Sequence, residues 1–211
     1  MRAIRRHDLF VVAPEAWDRL LAVRPDLDGV PYLATWARED RPVIVRRRHP
    51  GEGDHLPAGL PLPPAAGKRR IGLAVPWPDA TPHPPVTLAA ARPDAPPAWH
   101  PTIDAVLELA AEHALVPRVF GGLLWQGLTG LRYLSATSDL DLLWPAPVPR
   151  AFLDGLAAIA ADAPMRLDGE VVLPNGAGVN WREWSDALPA GAVLAKGLDG
   201  VALVPASNLD G

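Results

Sequence analysis

Apolar and polar positions in the C-terminal half fall into runs with two different periods. From Thr102 to Ala114, Ile103, Val106, Leu107 and Ala110 recur on one side of a helical repeat, while Asp104, Glu108 and Glu112 fall on the other. This predicts an amphipathic helix with Thr102 as its N-cap. Val116 to Phe120 reads as a short strand that feeds Gly121-Gly122. Leu124, Leu128 and Leu131 then recur at helical spacing, so a second helix starts at the glycine pair, with Gly130 placed to end it. Leu140 and Leu142 alternate with Asp139 and Asp141, the period of a strand with one apolar face. Arg150 to Ala161 returns to the helical period through Phe152, Leu153, Leu156 and Ile159. Arg166 to Leu173 is a strand, Pro174-Asn175-Gly176 its turn, and Val179 to Trp184 the returning strand. Val193 to Val204 forms a last hairpin.

The N-terminal half is less regular. Leu9 to Ala13 is strand-like, and Pro14 opens a helix with Trp17, Leu20 and Leu21 on its buried face, ended by Arg24-Pro25. Pro42 to Val45 is a short strand running into Arg46-Arg47-Arg48; residues 50–67 read as a Gly- and Pro-rich loop, and Lys68-Arg69-Arg70 precedes a strand from Ile71 to Val75. Prolines exclude helix across most of Trp77 to Trp99, and Val86 to Ala91 is assigned to a strand. With the boundary set near residues 92–98, the chain is expected to be α+β. Residues 1–92 form a smaller irregular domain with short strands, and residues 98–211 a mixed sheet flanked by helices.

Composition narrows the chemistry. A formal net charge of −4 argues against a nucleic-acid partner, whose phosphates demand a basic excess. The absence of cysteine excludes disulfides, thiolate catalysis and cysteine-ligated metals, and suits a reducing cytoplasm. No apolar h-region opens the sequence and no run of 18 apolar residues occurs, so neither a secretory leader nor a membrane helix is expected.

The candidate chemistry lies at Asp139 and Asp141. On a strand both side chains share one face, about 7 Å apart at Cα, and repel each other. A divalent cation between them, Mg²⁺ or Mn²⁺, removes that repulsion and commonly pairs such carboxylates with substrate phosphates. Gly121-Gly122 at a helix start lets a phosphate approach backbone N–H groups. A plain strand end would also carry such a D-x-D. The His7-Asp8 pair could suggest a metal phosphohydrolase, but no further ligands follow at helical spacing.

A glycine turn, a helix and a D-x-D strand in this order resemble the DNA polymerase beta-like nucleotidyltransferase superfamily. The words through Trp125-Gln126, Leu128-Thr129-Gly130-Leu131 and Tyr133-Leu134, with Ser138 to Trp144, resemble more closely the phosphoribosyl-dephospho-CoA transferases that act as malonate decarboxylase holo-acyl-carrier-protein synthases. The chain departs from them in reading Gly121-Gly122 where Gly-Ser is usual.

The resemblance implies a nucleotidyltransferase domain that moves the phosphoribosyl-dephospho-CoA group from 2'-(5''-triphosphoribosyl)-3'-dephospho-CoA to a serine. The acceptor is the acyl carrier protein subunit of malonate decarboxylase, and pyrophosphate leaves. Asp139 and Asp141 would hold the metal, and a third carboxylate from a neighbouring strand would complete the site: Glu170, with Asp168 and Glu183 as rivals. Glu170 or a metal-held group would take the serine proton. Gly121, Gly122, Ser138 and Lys196 would meet phosphates, although Lys196 at a strand end could equally reach water. His7, in an R-H-D-L word shared with the family, and Arg47 join the cofactor-binding set. By their charge, Arg46 to Arg48 and Lys68 to Arg70, read as sharing one edge, would face an acidic carrier or the cofactor's phosphates, the plain alternative being solvated strand ends. A transferase with another acceptor and a non-enzymatic binding module are the rival readings.

Overall fold

The computed structural model describes residues 4–188 and 190–206. The chain divides between Pro85 and Val86 into two units.

In the first unit, β1 (Leu9–Val12) leads into α1 (Pro14–Ala22), and β2 (Val43–Val45), β3 (Leu56–Pro61), β4 (Arg70–Val75) and β5 (Ala80–His83) follow. The sheet is antiparallel in the order β4-β3-β2-β1-β5. Its core includes Trp17, Leu33 and Trp36, whose indole N–H groups are satisfied: Trp17 donates to the Leu33 carbonyl at 2.7 Å and Trp36 to that of Pro42 at 3.0 Å.

Two expectations for this unit fail. The segment 50–67 contains the interior strand β3 despite Pro57 and Pro61. In an antiparallel strand a residue's N–H and C=O face the same neighbour. Pro57 accepts from Arg46 N–H at 2.9 Å, so its missing donor lies on the β2 side, beyond the end of β2, and costs the β3–β4 ladder nothing. The two basic clusters also lie at opposite ends of β3: Arg46 pairs near Pro57, while Arg70 stands opposite Pro61. Strand rise puts them on the order of 15 Å apart, not along one edge. Arg46 is committed internally. Its guanidinium holds both Glu52 oxygens and the carbonyls of Ala58 and Leu73, and it keeps the Glu52 carboxyl below its usual range.

The second unit comprises α2 (Leu88–Ala91), α3 (His100–Glu112), β6 (Arg118–Phe120), α4 (Gly121–Thr129), β7 (Leu140–Pro145), α5 (Arg150–Ala161), β8 (Leu167–Val172), β9 (Gly178–Asn180), α6 (Trp181–Asp186), β10 (Ala192–Lys196) and β11 (Val201–Pro205). The sheet order is β11-β10-β9-β8-β7-β6, with β7 and β8 parallel through the α5 crossover and every other pair antiparallel. The fold class is therefore α+β. Leu140, Leu142 and Trp144 turn one face of β7 into the core, where Trp144 meets Phe152 and Trp181 edge-on at 6.1 and 6.5 Å. Among the described residues no helix is long and apolar enough to cross a membrane.

Residues 86–98 belong to this unit rather than to a boundary further on. Val119 N–H donates to Val86 and Leu88 N–H to Pro117, which ties the segment to β6. The expected strand there is the helix α2, capped by Thr87 Oγ1, which accepts from Ala90 N–H at 3.2 Å. Thr102 lies inside α3, which begins at His100 with Pro101 in its first turn. Gly130 ends α4 in the left-handed conformation, as its residue type predicts, and Leu131, the last of the expected leucine repeat, lies beyond the helix. The returning strand stops at Asn180. Its side chain accepts from Arg182 and Glu183 N–H, and with Glu183 at the third helical position this turns the rest into α6.

Gly169 is the tightest point of the β7–β8 pair. A Cβ there would lie 2.2 Å from the Leu142 carbonyl oxygen and 2.7 Å from Trp144 Cζ3. Gly169→Ala is expected to destabilise the protein by about 1–3 kcal/mol or more in urea denaturation, since backbone cannot retreat. Gly155→Ala is the control. There the Cβ meets only the flexible end of Leu109 at 2.9 Å and gains helix propensity, so near-neutral stability is expected.

Candidate active site

The parallel register of β7 and β8 sets Asp141 directly beside Asp168. Asp139, one residue ahead of β7, shares the face of Asp141. One carboxylate oxygen from each of Asp139, Asp141 and Asp168 lies within 4.8 Å of the others, and all three residues are half-buried. Three convergent carboxylate oxygens suit a hard divalent cation that prefers oxygen.

The surroundings fix these acids individually. Asp168 Oδ1 accepts from Gly169 N–H at 2.8 Å and from Asn180 Nδ2 at 2.9 Å, while Oδ2 is 3.2 Å from Arg166 Nη2. Asn180 thus starts α6 with its oxygen and steers Asp168 with its nitrogen. Gly121 adopts φ +65°, and a Cβ on it would fall 1.9 Å from Asp141 Oδ2. Only glycine leaves room for the carboxylate there. The next amide, Gly122 N–H, donates to Asp141.

Asp141 pays electrostatically for this place. Burial pushes its pKa up to about 7, and Asp139 and Asp168 add to the rise, while Arg166 and the Gly122 amide oppose it.

Among the residues expected from sequence, the structure brings together Asp139, Asp141, Gly121 and Gly122. The third carboxylate of the cluster is Asp168, not Glu170. Glu170 stands opposite Leu143, two residues further along β8, is 7% exposed, and has its carboxylate 3.8 Å from Lys196 Nζ. Lys196, expected at a phosphate, is therefore the partner of Glu170. Glu183 is exposed on α6. Ser138 closes a turn, accepting from Ser135 N–H at 2.9 Å through Oγ. In the first unit, His7 sits in a left-handed turn with its N–H donating to Val45 at 2.9 Å, and Arg47 is exposed. Arg166 and Asn180 were not singled out from sequence. The Asn180 to Glu183 spacing was the one available signal, as a capping pattern.

Comparison with known proteins agrees with the motif resemblance. Residues 87–207 match the family "Phosphoribosyl-dephospho-CoA transferase MdcG C-terminal domain" and residues 5–85 the corresponding N-terminal domain. A protein of Bradyrhizobium diazoefficiens named phosphoribosyl-dephospho-CoA transferase is 43% identical over 204 residues, spanning 94% of this chain and 89% of its own length. One of the same name from Xanthomonas euvesicatoria pv. vesicatoria is 41% identical over 187 residues, spanning 85% of each chain. No solved structure matches significantly.

The raised Asp141 pKa has a defined effect on stability. The group titrates at about 7 when folded against 3.8 as an ordinary side chain, so between those values the folded state holds more protons. Stability of the cation-free protein is then expected to fall as pH rises from about 4 to about 7 and to level off above. Thermal melts should show Asp141→Asn flattening this slope and melting no lower than the parent near pH 8. Mn²⁺ should raise the parent's melting temperature more near pH 8 than near pH 6, and the variant's little at either. An unchanged slope in the variant would place the titrating group elsewhere.

Proposed function

This chain belongs to the phosphoribosyl-dephospho-CoA transferase family and is a transferase, and from that premise we propose the identity of its donor and acceptor. The donor is 2'-(5''-triphosphoribosyl)-3'-dephospho-CoA, the acceptor a serine of the acyl carrier protein subunit of malonate decarboxylase, and the by-product pyrophosphate. The observation that carries this reading is the convergence of Asp139, Asp141 and Asp168 beside the glycine turn that opens α4. It is the arrangement a polymerase beta-like nucleotidyltransferase would need.

Asp139, Asp141 and Asp168 would hold Mg²⁺ or Mn²⁺. When bound, such a cation supplies charge stabilisation to the phosphates and to the leaving pyrophosphate. The chain's own groups do the positioning. Asn180 and Gly169 N–H fix one oxygen of Asp168, leaving the other for the site. Gly121 makes room for Asp141, and the Gly122 amide orients it, so the turn serves the acid before it serves a phosphate. The attacking serine loses its proton to a carboxylate of the cluster; Glu170, buried against Lys196, is a structural partner rather than that base. Ser138 remains assigned to substrate phosphates by resemblance. Transfers of this kind ask little covalent chemistry of the protein and much of its placement of charge.

Incubation with the triphosphate precursor and apo carrier protein should raise the carrier's mass by one phosphoribosyl-dephospho-CoA group, with pyrophosphate formed in equal amount. Asp168→Asn should lower kcat by about 10²-fold or more. Glu170→Gln should stay within about tenfold of the parent once matched for folded fraction. A carrier of unchanged mass would remove this acceptor. The reverse order of the two variants would return the third-carboxylate role to Glu170.

A further inference from the structure

Resting on that reading, we propose that Arg166 receives the substrate's phosphate chain at the acidic cluster, giving up Asp168 when a divalent cation takes that carboxylate. The position is fixed by backbone. Arg166 immediately precedes β8, and its carbonyl accepts from Leu140 N–H at 2.9 Å, which pins it beside the start of β7 between Asp139 and Asp141. Its guanidinium reaches Asp168 Oδ2 at 3.2 Å, yet the side chain remains 60% exposed.

Other cations of this region have different commitments. Arg182 donates to the Leu167 carbonyl at 3.0 Å and lies 4.3 Å over the Trp181 ring. Lys196 faces Glu170. Arg166 holds one oxygen of Asp168, whose side chain is 22% exposed, a partner that a bound cation would also claim.

The two oxygens of Asp168 divide the work. Oδ1 is occupied by Gly169 N–H and Asn180 Nδ2, so it anchors the acid. Oδ2, which Arg166 contacts, is the oxygen that the two donors on Oδ1 leave for a cation. A polyphosphate approaching three carboxylates meets like charge, and a guanidinium at the rim offers it a planar fork of donors that fits phosphate oxygens in pairs. Because Arg166 and a divalent cation compete for the same acid, removing the arginine should strengthen cation binding while weakening phosphate binding. A merely structural ion pair predicts no such opposite movement.

The test uses the full chain with Arg166→Gln and Arg166→Lys. Calorimetry with Mn²⁺ alone should show Arg166→Gln binding about threefold tighter than the parent. The magnesium complex of inorganic tripolyphosphate should bind roughly tenfold more weakly, with the KM for the triphosphate precursor rising in step. Arg166→Lys should recover part of the phosphate binding, since it keeps the charge and loses the fork. Both variants should melt close to the parent because the side chain is exposed. Loss of both Mn²⁺ and tripolyphosphate binding would make Arg166 a holder of Asp168 and overturn the proposal. So would wild-type affinity for both. Carrier modification by the parent tests the family reading separately: where the parent transfers normally and phosphate binding ignores Arg166→Gln, the Arg166 assignment alone falls.

Discussion

The parallel pairing of β7 with β8 is the constraint on which the site depends. It sets Asp141 beside Asp168 and brings Asp139 to the same face, so three carboxylates converge in a half-buried place. Two strands of one antiparallel hairpin would put other residues opposite Asp141. The α5 crossover that makes the pair parallel also supplies Phe152, which meets Trp144 of β7 edge-on, and the buried Leu153 and Leu156. One connection thus joins the acids on one side of β7 and buries leucines and Trp144 on the other. Burial first, and then repulsion from Asp139 and Asp168, appears in the raised Asp141 pKa, and the surrounding core must outweigh it. Functional sites often carry such local cost.

Around this pair, single residues do more than one job each. Asn180 ends β9, caps α6 and holds Asp168. Gly121 begins α4 in a left-handed conformation and vacates the space that Asp141 fills. Because these groups sit at element ends, the acids are held by the same contacts that fix where helices start. A loosened cap would therefore reach the chemistry as well as the fold.

The first unit shows a different economy. Strand β3 tolerates its prolines because the missing donors fall where no neighbour strand continues. Arg46 lies across Gly59 and Gly72 and ties β2, β3 and β4 together through Glu52 and carbonyl oxygens. Within the two basic clusters, Arg46 is an internal strut, while Arg47, Lys68, Arg69 and Arg70 are exposed.

The sequence alone determined what local period and chemistry can specify. The leucine spacing set α4, Gly130 its end, the apolar repeat α5, and the alternation around Asp139 and Asp141 the strand with two acids on one face. Its motif words also determined the family. Tertiary structure decided whatever depends on which strand lies beside which. Glu170 is flanked by apolar residues and looked like the inward acid, but only the register with β7 shows that Asp168 stands beside Asp141 while Glu170 stands beside Leu143. Strand β3 was hidden because proline reads as a breaker until the neighbouring ladder shows which hydrogen bonds are needed. The strand assigned through Trp184 became α6 because a short apolar run suits either period, and the Asn180 cap tipped the balance. Periodicity is a property of one segment and survives in the sequence. Register is a relation between segments far apart in the chain, and it exists only once they pack.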